Sequence, residues 1–143
     1  MTDIKEKFGA SGQAITITLA SLADDAYRES TAIDNTTNLY LTVLVQLAIK
    51  TGASTAGEKY VNVFAYATAD EGTTYSDGAT GSDAAFTPTA PPNLKLIGVI
   101  NCPTAATTYK SDLMNVANAF GGILPQKWGI IVQNQTGAAL DGT

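Results

Sequence analysis

Several stretches of this chain place an apolar residue at every second position, the period of a strand rather than a helix. Ala14–Ala20 sets Ile15, Ile17 and Leu19 against Thr16 and Thr18, the pattern of a half-buried strand. Asn38–Lys50 carries the strongest alternation. Leu39, Leu41, Val43, Val45, Leu47 and Ile49 fall on one face; Tyr40, Thr42, Gln46 and Lys50 fall on the other. Tyr60–Thr68 puts Val61, Val63, Ala65 and Ala67 opposite Tyr60, Asn62, Phe64 and Tyr66. An aromatic face opposite a small aliphatic one predicts packing on both sides. Lys127–Gln133, with Trp128 and Ile130-Ile131-Val132, predicts the last strong strand.

Between these lie connections. Ser21–Thr37 is polar, and Asn35-Thr36-Thr37 is turn-forming. Thr51–Lys59 is a turn, and Ala69–Asp83 is a long loop rich in Gly, Asp and Thr. Ala84–Thr89 is short and extended, and Pro91-Pro92 blocks a ladder there. Asn93–Asn101 is a strand whose Gly98 marks a bulge or a close approach. Tyr109–Val116 has no clear period. Val116–Gly122 fits one helical turn closed by Gly121-Gly122. About eight short strands separated by turn residues predict an all-β, two-sheet antiparallel sandwich or barrel over residues 13–143. Residues 1–12 lack a clean period and are expected to form an N-terminal arm. Ile4, Lys5, Lys7 and Phe8 are its candidate contacts to a partner.

Composition changes the picture mainly by removing chemistry. The chain has no histidine and one cysteine, Cys102. The usual zinc ligand and proton shuttle are therefore missing, and no internal disulfide can form. Cys102 precedes a proline and has no histidine to activate it, so a structural buried thiol is expected. Charged residues make up 15% of the chain, against about 25% in an average domain. The net charge of −5 disfavours nucleic-acid binding. No apolar run is long enough to span a bilayer, so no membrane partner is expected.

The acids are the remaining chemistry. Asp24, Asp25, Glu29 and Asp34 lie close in sequence, as a glycosidase pair would need. Their polar surroundings offer no apolar wall to raise a pKa. Arg28 is expected instead to pair with an acid and pin the connection, with Glu29, Asp34 and Trp128 as further structural pins. Asp70, Glu71, Asp77 and Asp83 could supply oxygens to calcium, but their spacing is not that of an EF-hand. No catalytic residue, metal or cofactor is assigned. The competing binding function is carbohydrate recognition. Tyr60, Phe64 and Tyr66 would offer a stacking face if exposed, and core if covered.

Two stretches carry a resemblance. Ala119-Phe120-Gly121-Gly122-Ile123-Leu124-Pro125-Gln126-Lys127-Trp128-Gly129-Ile130-Ile131-Val132 is similar to a C-terminal pattern in small structural proteins of tailed bacteriophages. Arg28-Glu29-Ser30-Thr31-Ala32-Ile33-Asp34-Asn35-Thr36-Thr37-Asn38, leading into Leu39-Tyr40-Leu41, resembles a second pattern of that group. The group is the capsid cement or decoration proteins with a jelly-roll fold. The resemblance implies a non-enzymatic virion protein on the outer capsid surface, made in the host bacterial cytoplasm. It also implies self-association as a homodimer or homotrimer, and binding to a major capsid protein. The arm lies outside the resemblance.

Overall fold

The structure is a computed structural model that describes residues 12–90 and 92–142. The arm residues Ile4, Lys5, Lys7 and Phe8 lie outside the described residues. The fold is all-β. Among the described residues ten strands run in the order β1 (Tyr27–Glu29), β2 (Ile33–Asp34), β3 (Leu44–Val45), β4 (Ala48–Lys50), β5 (Tyr60–Thr68), β6 (Ala84–Phe86), β7 (Lys95–Asn101), β8 (Thr108–Lys110), β9 (Met114–Asn115) and β10 (Lys127–Gln135). Two 3-10 turns, Ser76–Gly78 and Ala117–Phe120, join them. The second is closed by Gly121 at φ +78°, as Gly121-Gly122 predicted.

One layer is an antiparallel sheet ordered β6-β1-β10-β5-β7, with β2 pairing β10 beyond the end of β1. β10 and β5 pair in register over nine residues, from Lys127 opposite Thr68 to Gln135 opposite Tyr60. The second layer holds β3–β9 and β4–β8. From the Val45/Met114 pair to the Ala48/Lys110 pair, one strand advances three residues and the other four. A bulge at Ser111–Leu113 absorbs the difference. Ser111 spans it: its N–H donates to the Leu47 carbonyl (2.8 Å) and its Oγ accepts the Leu47 N–H (2.9 Å). The chain end extends this layer, with Leu140 bridging Thr51 and the Asp141 N–H donating to the Lys50 carbonyl.

The core lies between the layers. Val61, Val63, Ala65, Trp128, Ile130 and Val132 meet Val45, Leu47, Ile49, Met114, Val116 and Leu140 in one buried cluster. The opposite face of the large sheet is covered too. The connection 69–94 folds over it, bringing Tyr75, Ala79, Phe86 and Leu94 onto Phe64, Tyr66 and Ile131. The packing predicted on both sides of Tyr60–Thr68 is therefore present. Three antiparallel pairs nest along the chain: β1 with β10, residues 44–50 with 108–115, and β5 with β7. They alternate between layers, as in a jelly roll. The innermost connection does not add a fourth pair to the second layer. It crosses the outer face and supplies β6 to the far edge beside β1.

Three expectations are corrected. Ala14–Ala20 forms no ladder. Ile15, Ile17 and Leu19 do turn onto the core, but the Thr16 carbonyl accepts from Thr31 and the Thr18 N–H donates to the Asp83 carboxylate (3.0 Å). A side chain thus replaces part of the neighbouring strand. Asn38–Lys50 is not one strand. Only its second half is laddered, and Leu39 and Leu41 stand 69% and 72% exposed. Ser21–Thr37 is not merely a connection, because it contains β1 and β2, which pair with β10.

Two of the glycines that mark close approaches lie within strands of the large sheet. A Cβ at Gly98 would run into the Met114 side chain, and one at Gly129 into the Tyr66 ring. β7 also shifts register at Ile97, next to Gly98. Gly129→Ala is expected to destabilise the protein by about 1–3 kcal/mol through overpacking. A Gly129→Ala/Tyr66→Leu double variant should recover part of that loss in urea unfolding. Additive losses would place the strain elsewhere.

Candidate functional site

The expected pins occupy distinct places. Arg28, on β1, donates from Nε to Asp83 Oδ1 (2.6 Å) and from Nη2 to the Asp83 carbonyl (2.9 Å). Thr18 adds its N–H to the same carboxylate. The acid that Arg28 pins is therefore Asp83, across 55 residues of chain. Its carboxyl titrates at about 2, below the ordinary 3.8, chiefly because of the Arg28 bond. Glu29, 1% exposed, points the other way. Its carboxylate accepts from the Thr80 N–H (2.8 Å) and Thr80 hydroxyl (2.7 Å), with the Gly81 N–H further off (3.4 Å). Adjacent residues of one strand thus hold both ends of Thr80–Asp83 on the sheet. Asp34 is exposed and accepts from the Thr36 N–H and hydroxyl, which lower its pKa; Lys127 Nζ lies 3.9 Å away. Trp128 is a core anchor between the layers.

The acids considered for catalysis or calcium separate to local partners. Asp24 accepts from the Gly137 N–H and Asp25 from Gln135 Nε2. Asp70 caps its own turn through Thr68, Thr73 and Thr74, which hold its pKa at about 2. Asp77 takes donors from Thr89 and Asn93. Among the described residues no three of His, Cys, Asp and Glu gather. Cys102 is fully buried, and burial pushes its thiol up to about 11.

The aromatic face is divided. Tyr66 is 0% exposed and donates its hydroxyl to the Ser30 carbonyl (2.6 Å). Its ring packs edge-on to Tyr75 at 5.5 Å. Phe64 packs against Tyr27 at 6.4 Å, and the Tyr60 hydroxyl donates to Glu58. These rings therefore do not form one open stacking platform. Phe64 and Tyr66 lie beneath the 69–94 cover rather than between the two layers, because that connection takes the outer face of the sheet.

The exposed feature is apolar. Asn35, buried, donates its N–H to the Gln126 carbonyl (2.7 Å) and exchanges two bonds with the backbone of Tyr40. The Asn35 carbonyl also accepts the Leu39 N–H (2.9 Å). That clamp holds Leu39 at φ +51°, a strained conformation for a bulky residue. One residue further, the Leu41 carbonyl accepts the Leu124 N–H (2.9 Å). Leu39, Leu41 and Ile123, the last 67% exposed, thus share one rim. The sequence pattern had assigned Leu39 and Leu41 to a buried face. The signal that could have placed them outside is Asn35, whose side chain continues the turn past Thr37. A shallow groove of about 550 Å³ lies between β7 and β9, lined by Leu96, Leu113, Met114 and Asn115 among others.

No family model matches the chain, and no curated protein or solved structure matches it.

The buried Glu29 carboxylate and the Asp83 pair generate two expectations. Glu29→Ala leaves the Thr80 and Gly81 N–H groups without their acceptor. It should cost about 2 kcal/mol in urea unfolding, with Glu29→Gln costing less. Asp83 and Asp70 have folded pKa values of about 2, below the ordinary 3.8. Their stabilisation is therefore complete above about pH 4 and is lost as pH falls toward 2. Unfolding stability measured from pH 5 to 2 should fall through that window. The fall should be shallower in Asp83→Asn, which should also be less stable at neutral pH. An unchanged slope in that variant would contradict the assignment.

Proposed function

We propose that this chain is a structural virion protein of a tailed bacteriophage. It binds the outside of the capsid, self-associates and stabilises the shell by bridging major capsid protein subunits. The observation that carries the reading is a juxtaposition. The two stretches that resemble cement proteins, 28–41 and 119–132, lie side by side. They are joined through β1 and β2 on β10, through Asn35 to Gln126, and through Leu41 to Leu124. Their shared end is the apolar rim of Leu39, Leu41 and Ile123. Burying each such side chain against a partner contributes about 1.5–3 kcal/mol. A shell repeats that contact many times, so a modest single interface suffices. The low fraction of charge suits a surface that rests on other protein.

The bridging role asks only for a rigid body with an adhesive end. The two-layer core supplies the rigidity, and the Asn35 clamp fixes the rim on it. The aromatic residues proposed for sugar stacking support the alternative weakly, since Tyr66 is enclosed.

The test is co-sedimentation of the purified full chain with phage shells lacking it. Leu41→Asp with Ile123→Asp should weaken binding by about 30-fold or more. Their effect on unfolding stability should stay within about 0.5 kcal/mol each, as for surface substitutions. Full binding by that variant, or no binding by the wild-type chain, would overturn the proposal.

A further inference from the structure

Among the described residues, β7 ends the large sheet with β5 as its sole strand neighbour, so one edge has no described strand beside it. The direction of its backbone groups follows from one bond. The Cys102 N–H donates to the Lys59 carbonyl (2.8 Å), just past the Tyr60/Asn101 pair. Backbone groups alternate sides along a strand, so Ile100 also faces β5. Val99 and Asn101 therefore direct their N–H and C=O groups outward. The side chains here are not those of a guarded edge. Val99 is 49% exposed, Leu96 is 54% exposed, and the strand's one charge is Lys95 at its start. Natural edges are usually blunted by charge or proline in their middle. The bulge at Ile97 protects the first half of β7 and leaves Gly98–Asn101 regular.

We propose that a second copy of this chain pairs with this edge, β7 antiparallel to β7 about a two-fold axis at Ile100. The inference rests on the self-association in the functional reading and names its surface. A free ladder is satisfied by another strand, and this strand suits itself. In that register Val99 faces Asn101 of the second copy, and each pair exchanges two backbone hydrogen bonds. Ile100 faces Ile100. The two copies of Lys95 sit ten positions apart, about 33 Å along the ladder, so no like charges oppose. The contact is isologous and closes on itself, as two-fold dimers do. The large sheets of two copies become one continuous sheet.

Sedimentation velocity of the full chain over a range of concentrations tests this. The wild-type chain should show a monomer–dimer equilibrium. Val99→Pro removes one outward donor and no bond to β5, and should raise the dimer dissociation constant at least about tenfold. Val99→Lys places two like charges beside the axis and should do the same. It serves if the proline variant does not fold by circular dichroism. Leu41→Asp should leave the dimer unchanged. A wild-type chain that stays monomeric, or a dimer unaffected by the folded Val99 variants, overturns the inference. So does a dimer lost in Leu41→Asp alone. If the chain is monomeric yet still sediments with shells, the edge pairing fails while the capsid reading stands. If it dimerises through Val99 yet binds no shell, the reverse holds.

Discussion

The nine-residue ladder between β5 and β10 is the constraint on which the rest of the molecule depends. β10 is buried on both faces at all but its end residues, and β5 is buried on both faces from Ala65 to Thr68. A sheet in that position needs a layer on each side. The small aliphatic side of β5 receives the second layer, where Val, Ile and Leu fill the space between the sheets. The aromatic side receives a loop instead, and that loop must be tied down. Arg28 and Glu29 do so from one short strand, one through an ion pair with Asp83 and the other through the Thr80 amide and hydroxyl. Gly129 completes the arrangement on the ladder itself. Without a side chain there, the Tyr66 ring lies across β10 and its hydroxyl reaches Ser30.

The elements that could be read from the sequence are those whose environment is written in their own residues. β5 and β10 alternate or run apolar, and the structure builds them where the pattern put them. Gly98 and the Gly121 turn were legible because a missing side chain has few other uses. β1 was not legible. Tyr27-Arg28-Glu29 reads as polar connection, and its place inside a sheet depends on acceptors and donors more than fifty residues away. A buried Glu looks local only when its partners are local. The exposed rim was misread for the opposite reason. Leu39 and Leu41 continue the period of Val43 and Val45, but the Asn35 clamp bends the backbone out of that period. Ala14–Ala20 shows the intermediate case, where burial alternates as predicted and the hydrogen bonds go elsewhere.

The surfaces left over are of two physical kinds. The rim offers apolar area with little directionality, so it can adapt to a partner of complementary shape. The β7 edge offers backbone groups that no described strand pairs, and these call for another strand in a set register. A protein holding both can attach by one and associate by the other. The strain stored at Leu39 belongs to the first kind, since it exposes a leucine that an ordinary backbone would have turned inward.

The nesting of the strands also fixes when this molecule can exist. β5 acquires its central partner only when β10, far along the chain, is available. Until then translation has produced a two-faced apolar strand with β7 on one side and nothing on the other. Contacts as remote as Ser30 with Ile130 cannot form until residue 130 has been made. Such non-local pairing is slow to fold and exposes sticky intermediates. A chain whose β10 has not yet docked therefore leaves that apolar strand open to wrong partners.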